Sequence, residues 1–185
     1  MKAVKTFIDE LLIIEPDVFG DERGYFLESY RRTKYREIGI TEEFVQDNIS
    51  KSTKGTVRGL HYQVDNKAQG KLCQVIYGTV LDIAVDIRFG SPTFGKYFSI
   101  VLNEDDKKQL WIPKGFAHGF SVLSDNAIFS YKCTNYYSKQ DERAIRYDDP
   151  ELNIDWKVDD SIVSDKDLKA KFLKEIDKDF IFQPL

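Results

Sequence analysis

The sequence predicts an all-β protein built as an antiparallel sandwich or barrel. Three observations carry that prediction. Short apolar runs recur from about residue 45 to 137, with turn signals between them. No helical periodicity separates these runs, which argues against a parallel sheet with crossover helices. Aromatic residues reach 14%, with 13 Phe and 10 Tyr, and such side chains suit a pleated surface.

Each element has its own reason. Leu11-Leu12-Ile13-Ile14 is a short apolar run, closed off by Pro16 and Gly20, so it reads as a strand. A second strand fits 25–30. The stretch 33–38 predicts one short helix, closed by Gly39 in the left-handed conformation. Further strands fit 74–77, 80–87, 96–102, 109–112, 119–123 and 127–134. Their separators are Tyr77-Gly78-Thr79, Gly90-Ser91-Pro92, Asn103-Glu104-Asp105-Asp106 and Ser124-Asp125-Asn126. Alternation within 80–87 is imperfect, yet Asp82 and Asp86 share one face, so that face is polar or lines a cavity. Ser164-Asp165-Lys166-Asp167 gives a capping-box-like start, and Leu168, Phe172 and Ile176 recur every four residues. A helical segment is predicted over 164–177. With no linker, low-complexity tract or repeat, residues 1–185 read as one domain with its barrel core over 45–137.

Composition narrows the function. The net charge is −4, and no basic run exceeds Arg31-Arg32 or Lys107-Lys108, so a nucleic-acid binder is disfavoured. An anionic small ligand stays open, because a few Arg and Lys suffice to bind a phosphate. Cys73 and Cys133 lie outside any CxxC pattern and read as reduced core thiols. No stretch has the form of a signal peptide, and none approaches the ~20 apolar residues of a membrane span. A cytoplasmic location is expected.

The chain has only two histidines. His61 sits in Val57-Arg58-Gly59-Leu60-His61-Tyr62-Gln63, and His118 sits in Trp111-Ile112-Pro113-Lys114-Gly115-Phe116-Ala117-His118. One such His alone is more often a core residue than a catalyst. A metal site wants three or four ligands, often spaced His-x-His, and no His lies within four positions of either one. Two His and a carboxylate could still meet in space. The sequence has no Gly-x-Ser-x-Gly elbow, phosphate loop or dinucleotide fingerprint. Acid/base chemistry remains, with His, Tyr, Lys and Asp as candidates. Tyr131 and Tyr137 would share a face on one continuous strand, where the plain alternative is a row of sheet aromatics.

Taken together, eight segments in order resemble the dTDP-4-dehydrorhamnose 3,5-epimerase family. They are FGDERGYFLE (19–28), QDNIS (46–50), VRGLHYQ (57–63), QGKL (69–72), DIAVDIRFGSPTFG (82–95), WIPKGFAHGF (111–120), the tyrosine cluster 131–137, and SDKD (164–167). The resemblance implies an antiparallel double-sheet jelly-roll of the cupin-like kind, and neither cofactor nor metal. It implies His61 as general base with Asp167 as its partner, Tyr131 as proton donor, and Lys71 beside the substrate oxygen. Substrate contacts are implied at Arg23, Glu28, Gln46, Asp47, Asn48, Arg58, His118, Tyr137, Glu142 and Lys166. Arg23 and Glu28 are expected to reach a neighbouring subunit's site, which implies a homodimer. The implied substrate is a dTDP-4-keto-6-deoxyhexose, inverted at C3 and C5 through an enolate. A one-centre epimerase, a 3,4-ketoisomerase, a metal cupin and a non-catalytic binding module stand as alternatives. The chain departs from the family at Arg146-Tyr147-Asp148-Asp149-Pro150, where Trp-Asn-Asp-Pro is common, and at Asn135, where Asp is common.

Overall fold

A computed structural model describes residues 1–183. Its strands are β1 (Lys2–Lys5), β2 (Leu12–Glu15), β3 (Val18–Asp21), β4 (Gly24–Leu27), β5 (Gln46–Thr53), β6 (Val57–Gln63) and β7 (Lys71–Tyr77). They continue with β8 (Thr79–Asp86), β9 (Tyr97–Asn103), β10 (Gln109–Ile112), β11 (Phe116–Val122), β12 (Asn126–Cys133) and β13 (Glu142–Ala144). Two short helices, α1 (Arg32–Glu37) and α2 (Asp165–Leu168), complete the set. One sheet runs β1-β2-β10-β7-β12-β5, a second runs β13-β6-β11-β8-β9, and β3 and β4 form a separate hairpin. Every strand pairing within these sheets is antiparallel.

The two large sheets face each other across an apolar core. Cys73, Val75, Leu110, Ala127 and Phe129 of the first sheet pack with Val80, Ala84, Leu102, Phe116 and Phe120 of the second. The outer face of the second sheet is also buried, because the chain after residue 145 returns over it with Leu152, Trp156, Leu173 and Ile176. β8 is therefore covered on both sides, which explains its imperfect alternation: Leu81, Ile83 and Val85 serve the outer cluster. Asp82 and Asp86 do share the inner face with Val80 and Ala84. On the outer face of the first sheet, the α1 segment packs Tyr35 and Ile40 over Leu72 and Trp111.

Most predicted strands fall within two or three residues of the observed ones, and 109–112 matches β10. The 25–30 strand is the second arm of the β3–β4 hairpin, and Gly39 follows α1 with φ +93°. Pattern alone does not delimit β1, β3, β5, β6 or β13. The helical segment 164–177 is not continuous. α2 has four residues, Lys171 bridges Ile145 as extended chain, and a separate 3-10 turn spans Leu173–Glu175. The segment is shaped by the sheet beneath it: Leu173 and Ile176 drop into the outer cluster, while Leu168 stays 39% exposed. The predicted cap is present, with the Ser164 hydroxyl accepting the Asp167 N–H at 3.2 Å. Among the described residues no helix is long and apolar enough to cross a membrane.

Candidate active site

The site forms where β5, β6, β7 and β12 open at one end of the double sheet. On β6, Arg58 and His61 are three residues apart and would point to opposite faces of a regular strand. A register shift lets Arg58 face Phe120 and His61 face His118, so both side chains turn inward. Glycines make this irregularity sterically feasible. Gly59 has φ +138°, and a Cβ there would lie 2.5 Å from the Gly119 Cα. A Cβ on Gly119 would lie 2.7 Å from the Arg58 carbonyl oxygen.

His61 is the centre of the arrangement. Its Nε2 lies 2.6 Å from Asp167 Oδ1, across 106 positions of sequence. Asp167 is 3% exposed. Burial opposes its charge, but the hydrogen bond and charge of His61, with help from Ser164 and the Gly59 backbone, hold its carboxyl below the usual range. An ionised Asp167 accepts a proton-bearing Nε2, and in the neutral ring that tautomer leaves the Nδ1 lone pair free. Tyr131, on β12, lines the same cleft as His61. Burial pushes its hydroxyl up to about 12, with smaller contributions from Cys133 and Cys73. Lys71 lies near both: its Nζ donates to the His61 backbone carbonyl at 3.4 Å and stands 5.9 Å from the centre of the Tyr131 ring. Among the described residues no carboxylate pairs with Lys71, so its charge is available to a ligand.

The remaining predicted residues separate into those that reach the cleft and those that do not. Gln46, Asn48, Tyr137 and Glu142 line it. Gln46 Nε2 donates to Asn48 Oδ1 at 3.0 Å, and the Tyr137 hydroxyl donates to Glu142 Oε2 at 2.9 Å. Lys166 joins through its 2.5 Å ion pair with Glu142. Arg58 Nε donates to the Ser52 hydroxyl at 3.0 Å, further along the inner row of β5. Tyr137 comes from the loop after β12, not from a continuous strand with Tyr131. The Asp47 side chain is a correction: alternation along β5 sends it to the outer face, where it pairs with Lys132 at 2.9 Å. Arg23 and Glu28 do not line the cleft either. Arg23 is on the exposed β3–β4 turn, 2.5 Å from Asp21, and Glu28 pairs with Arg31 and with Lys34 at 3.4 Å.

His118 sits behind the cleft and is 6% exposed. Its Nε2 lies 2.7 Å from Asp82 Oδ1 and 3.7 Å from the Cys73 sulfur. Burial lowers the His118 pKa, against the pull of Asp82, so a neutral ring donates to that carboxylate. Asp82 is a functional candidate that residue reasoning missed, and its shared inner face with Asp86 was the available signal. Cys73, Asp82 and His118 are the described group whose ligand atoms crowd together as a metal would require, within 4.8 Å. Their geometry suits hydrogen bonding better than coordination, since the His118 nitrogen in the group is already committed to Asp82. Burial also keeps the Cys73 thiol protonated.

The cleft holds an imidazole hydrogen-bonded to a carboxylate, a protonated phenol, and an ammonium that pairs with no carboxylate among the described residues. It can take a proton from carbon and supply one from another direction. Comparison with known proteins agrees with this chemistry. The family model described as dTDP-4-dehydrorhamnose 3,5-epimerase matches residues 5–175. A curated protein of that name from Shigella flexneri is 54% identical over 181 residues, covering 97% of this chain and 99% of its own. A solved dTDP-6-deoxy-D-glucose-3,5-epimerase from Legionella pneumophila Philadelphia 1, in complex with dTDP-4-keto-L-rhamnose, is 52% identical. It superposes with a TM-score of 0.95 and 99% coverage of both chains. A solved dTDP-4-dehydrorhamnose 3,5-epimerase from Bacillus anthracis, with TDP and PPi bound, is 44% identical with a TM-score of 0.90, covering 92% of this chain and 98% of its own. The chain belongs to the dTDP-4-dehydrorhamnose 3,5-epimerase family.

Proposed function

We propose that this protein inverts C3 and C5 of a dTDP-4-keto-6-deoxyhexose, as a cytoplasmic enzyme with one cupin-like jelly-roll domain over residues 1–185. The observation that carries the reading is the His61–Asp167 pair at 2.6 Å, in one cleft with Tyr131 and Lys71. Protons on C3 and C5 are both acidified by the C4 ketone. His61, held by Asp167 in the right tautomer, removes one of them. Negative charge then grows on the C4 oxygen, where the Lys71 ammonium stabilises it. Tyr131 returns a proton from the opposite face, which inverts the centre. His61 passes its proton to solvent, Tyr131 regains one, and the cycle repeats at the second carbon. The ketone supplies the acidity, so this chemistry calls on neither metal nor redox cofactor.

Gln46, Asn48, Tyr137, Glu142 and Lys166 surround the sugar in this reading, and Arg58 faces the pyrophosphate, which a guanidinium fork matches. His118, braced by Asp82, supports the floor. The cleft of this chain is small, about 100 Å³, against the ~300–1,000 Å³ of a typical small-molecule site. A sugar nucleotide must extend beyond it. We assign the missing wall to Arg23 and Glu28 of a second copy, in a homodimer. Exposed apolar side chains support that assembly: Phe19, Tyr25 and Phe26 on the hairpin are 63%, 58% and 69% exposed. Ile49 and Ile76, on strands of the six-stranded sheet, are 74% and 47% exposed.

Product analysis tests the reading. Purified protein treated with EDTA is incubated with dTDP-4-keto-6-deoxyglucose, and the sugar is examined by NMR. The expected product is inverted at both centres, with no turnover by His61→Ala although that variant still binds dTDP. Inversion at one centre would make it a one-centre epimerase, and a migrated carbonyl would make it an isomerase. Activity lost to EDTA and restored by a divalent ion would overturn the metal-free mechanism.

A further inference from the structure

The loop 134–138 carries Tyr137 over the cleft with little apolar anchoring: Tyr136 and Tyr137 are 60% and 54% exposed. Side-chain amides hold its backbone instead. Gln46 Oε1 accepts the Tyr137 N–H at 2.8 Å, and Gln69 Nε2 donates to the Asn135 carbonyl at 2.7 Å. Gln63 makes the largest set. Its Nε2 donates to the carbonyls of Lys67 at 2.7 Å and Tyr136 at 3.1 Å. Its Oε1 accepts the Ser138 N–H at 2.6 Å. One buried amide thus grips the residue on each side of Tyr137.

Two details separate this amide from a substrate contact. A side-chain amide has two N–H donors, and Gln63 spends both on backbone carbonyls. Gln63 is also 4% exposed, although its residue borders the cleft. It lies two positions beyond His61 on β6, so the base and the grip on the tyrosine loop share one rigid strand. We propose that Gln63 is a positioning residue for the reaction, fixing Tyr137 over the sugar by binding the backbone on both sides of it. This rests on reading the cleft as the sugar site.

Gln63→Glu keeps the size and the acceptor for Ser138, but removes both donors and sets an oxygen against two carbonyls. The expected result is a drop in kcat of about tenfold with KM within about threefold, because misplacing a group near the chemistry affects turnover first. Adding Tyr137→Phe to Gln63→Glu costs less than about twofold more, since residues that act as a unit are not additive. Amide hydrogen exchange speeds up at Tyr137 and Ser138 while the strands keep their protection. Unchanged kcat in a folded Gln63→Glu protein, or fully multiplicative losses in the double variant, would overturn the proposal. Should Gln63→Glu fail to fold, Gln63→Met carries the same test. Wild-type protein without turnover would defeat the sugar-site reading instead, and unchanged loop exchange in the variant would defeat the clamp.

Discussion

Tyr131 is suited to give a proton because burial keeps it neutral; with its pKa at about 12, it stays protonated throughout the neutral range. In the proposed mechanism Tyr131→Phe loses about 10²–10⁴-fold in product formation. His61 still takes and returns protons on its own face, so deuterium enters the substrate without inversion. Equal loss of exchange and inversion would assign Tyr131 a different part. Asp167 has a consequence for stability as well as rate. Its native carboxyl titrates below the free value of 3.8, so the unfolded chain binds more protons between the two values. The stabilisation is whole above the unfolded value and drains away as pH falls through the native one. Asp167→Asn is expected to flatten that acid-side decline, read as the urea midpoint against pH, and to lower kcat by about 10–100-fold. Legibility at this scale is uneven. The resemblance pairs His61 with Asp167, which no local spacing could do across 106 positions. It puts Asp47 among the contacts, whereas strand alternation turns that side chain to the outer face, onto Lys132. The spacing of Asp82 and Asp86 places Asp82 on a polar or cavity-lining face, but its pairing with His118 depends on the β8–β11 register.

At the scale of elements, the bulge in β6 does the most for the site. Gly59 and Gly119 allow two backbones to approach within a distance that a Cβ would block. Gly119→Ala is expected to destabilise the fold by about 1–3 kcal/mol through overpacking and to turn Arg58 or His61 out of register. Urea unfolding gives the first quantity and dTDP affinity the second; wild-type values for both would remove the bulge from the account. The sequence displays both glycines, but not that they meet, since one lies on β6 and the other on β11. The strands of the barrel are legible from turn signals and aromatic runs. β5 is harder to read, because its inner row is polar: Gln46, Asn48, Ser50 and Ser52. The C-terminal segment misleads for a related reason. Its four-residue spacing imitates a helix, while its backbone is shaped by packing on the second sheet.

At the scale of the whole molecule, Arg23 and Glu28 do not line the cleft of their own chain, and in the proposed homodimer they complete the partner's site. Arg23→Ala and His61→Ala proteins, each expected to be inactive alone, should recover activity when mixed as subunits exchange, because some sites then combine both intact residues. No recovery, with dimers present by sedimentation, would place Arg23 outside the partner's site. In the proposed reaction one cleft deprotonates and reprotonates two carbons beside a ketone. Solvent deuterium uptake tests it most directly: the protein is incubated with dTDP-4-keto-6-deoxyglucose in D2O, and H3 and H5 are followed by proton NMR. The proposed reaction requires loss of both signals in the wild type and retention of both in His61→Ala. Persistence of both signals in the wild type, with the nucleotide bound, would contradict it.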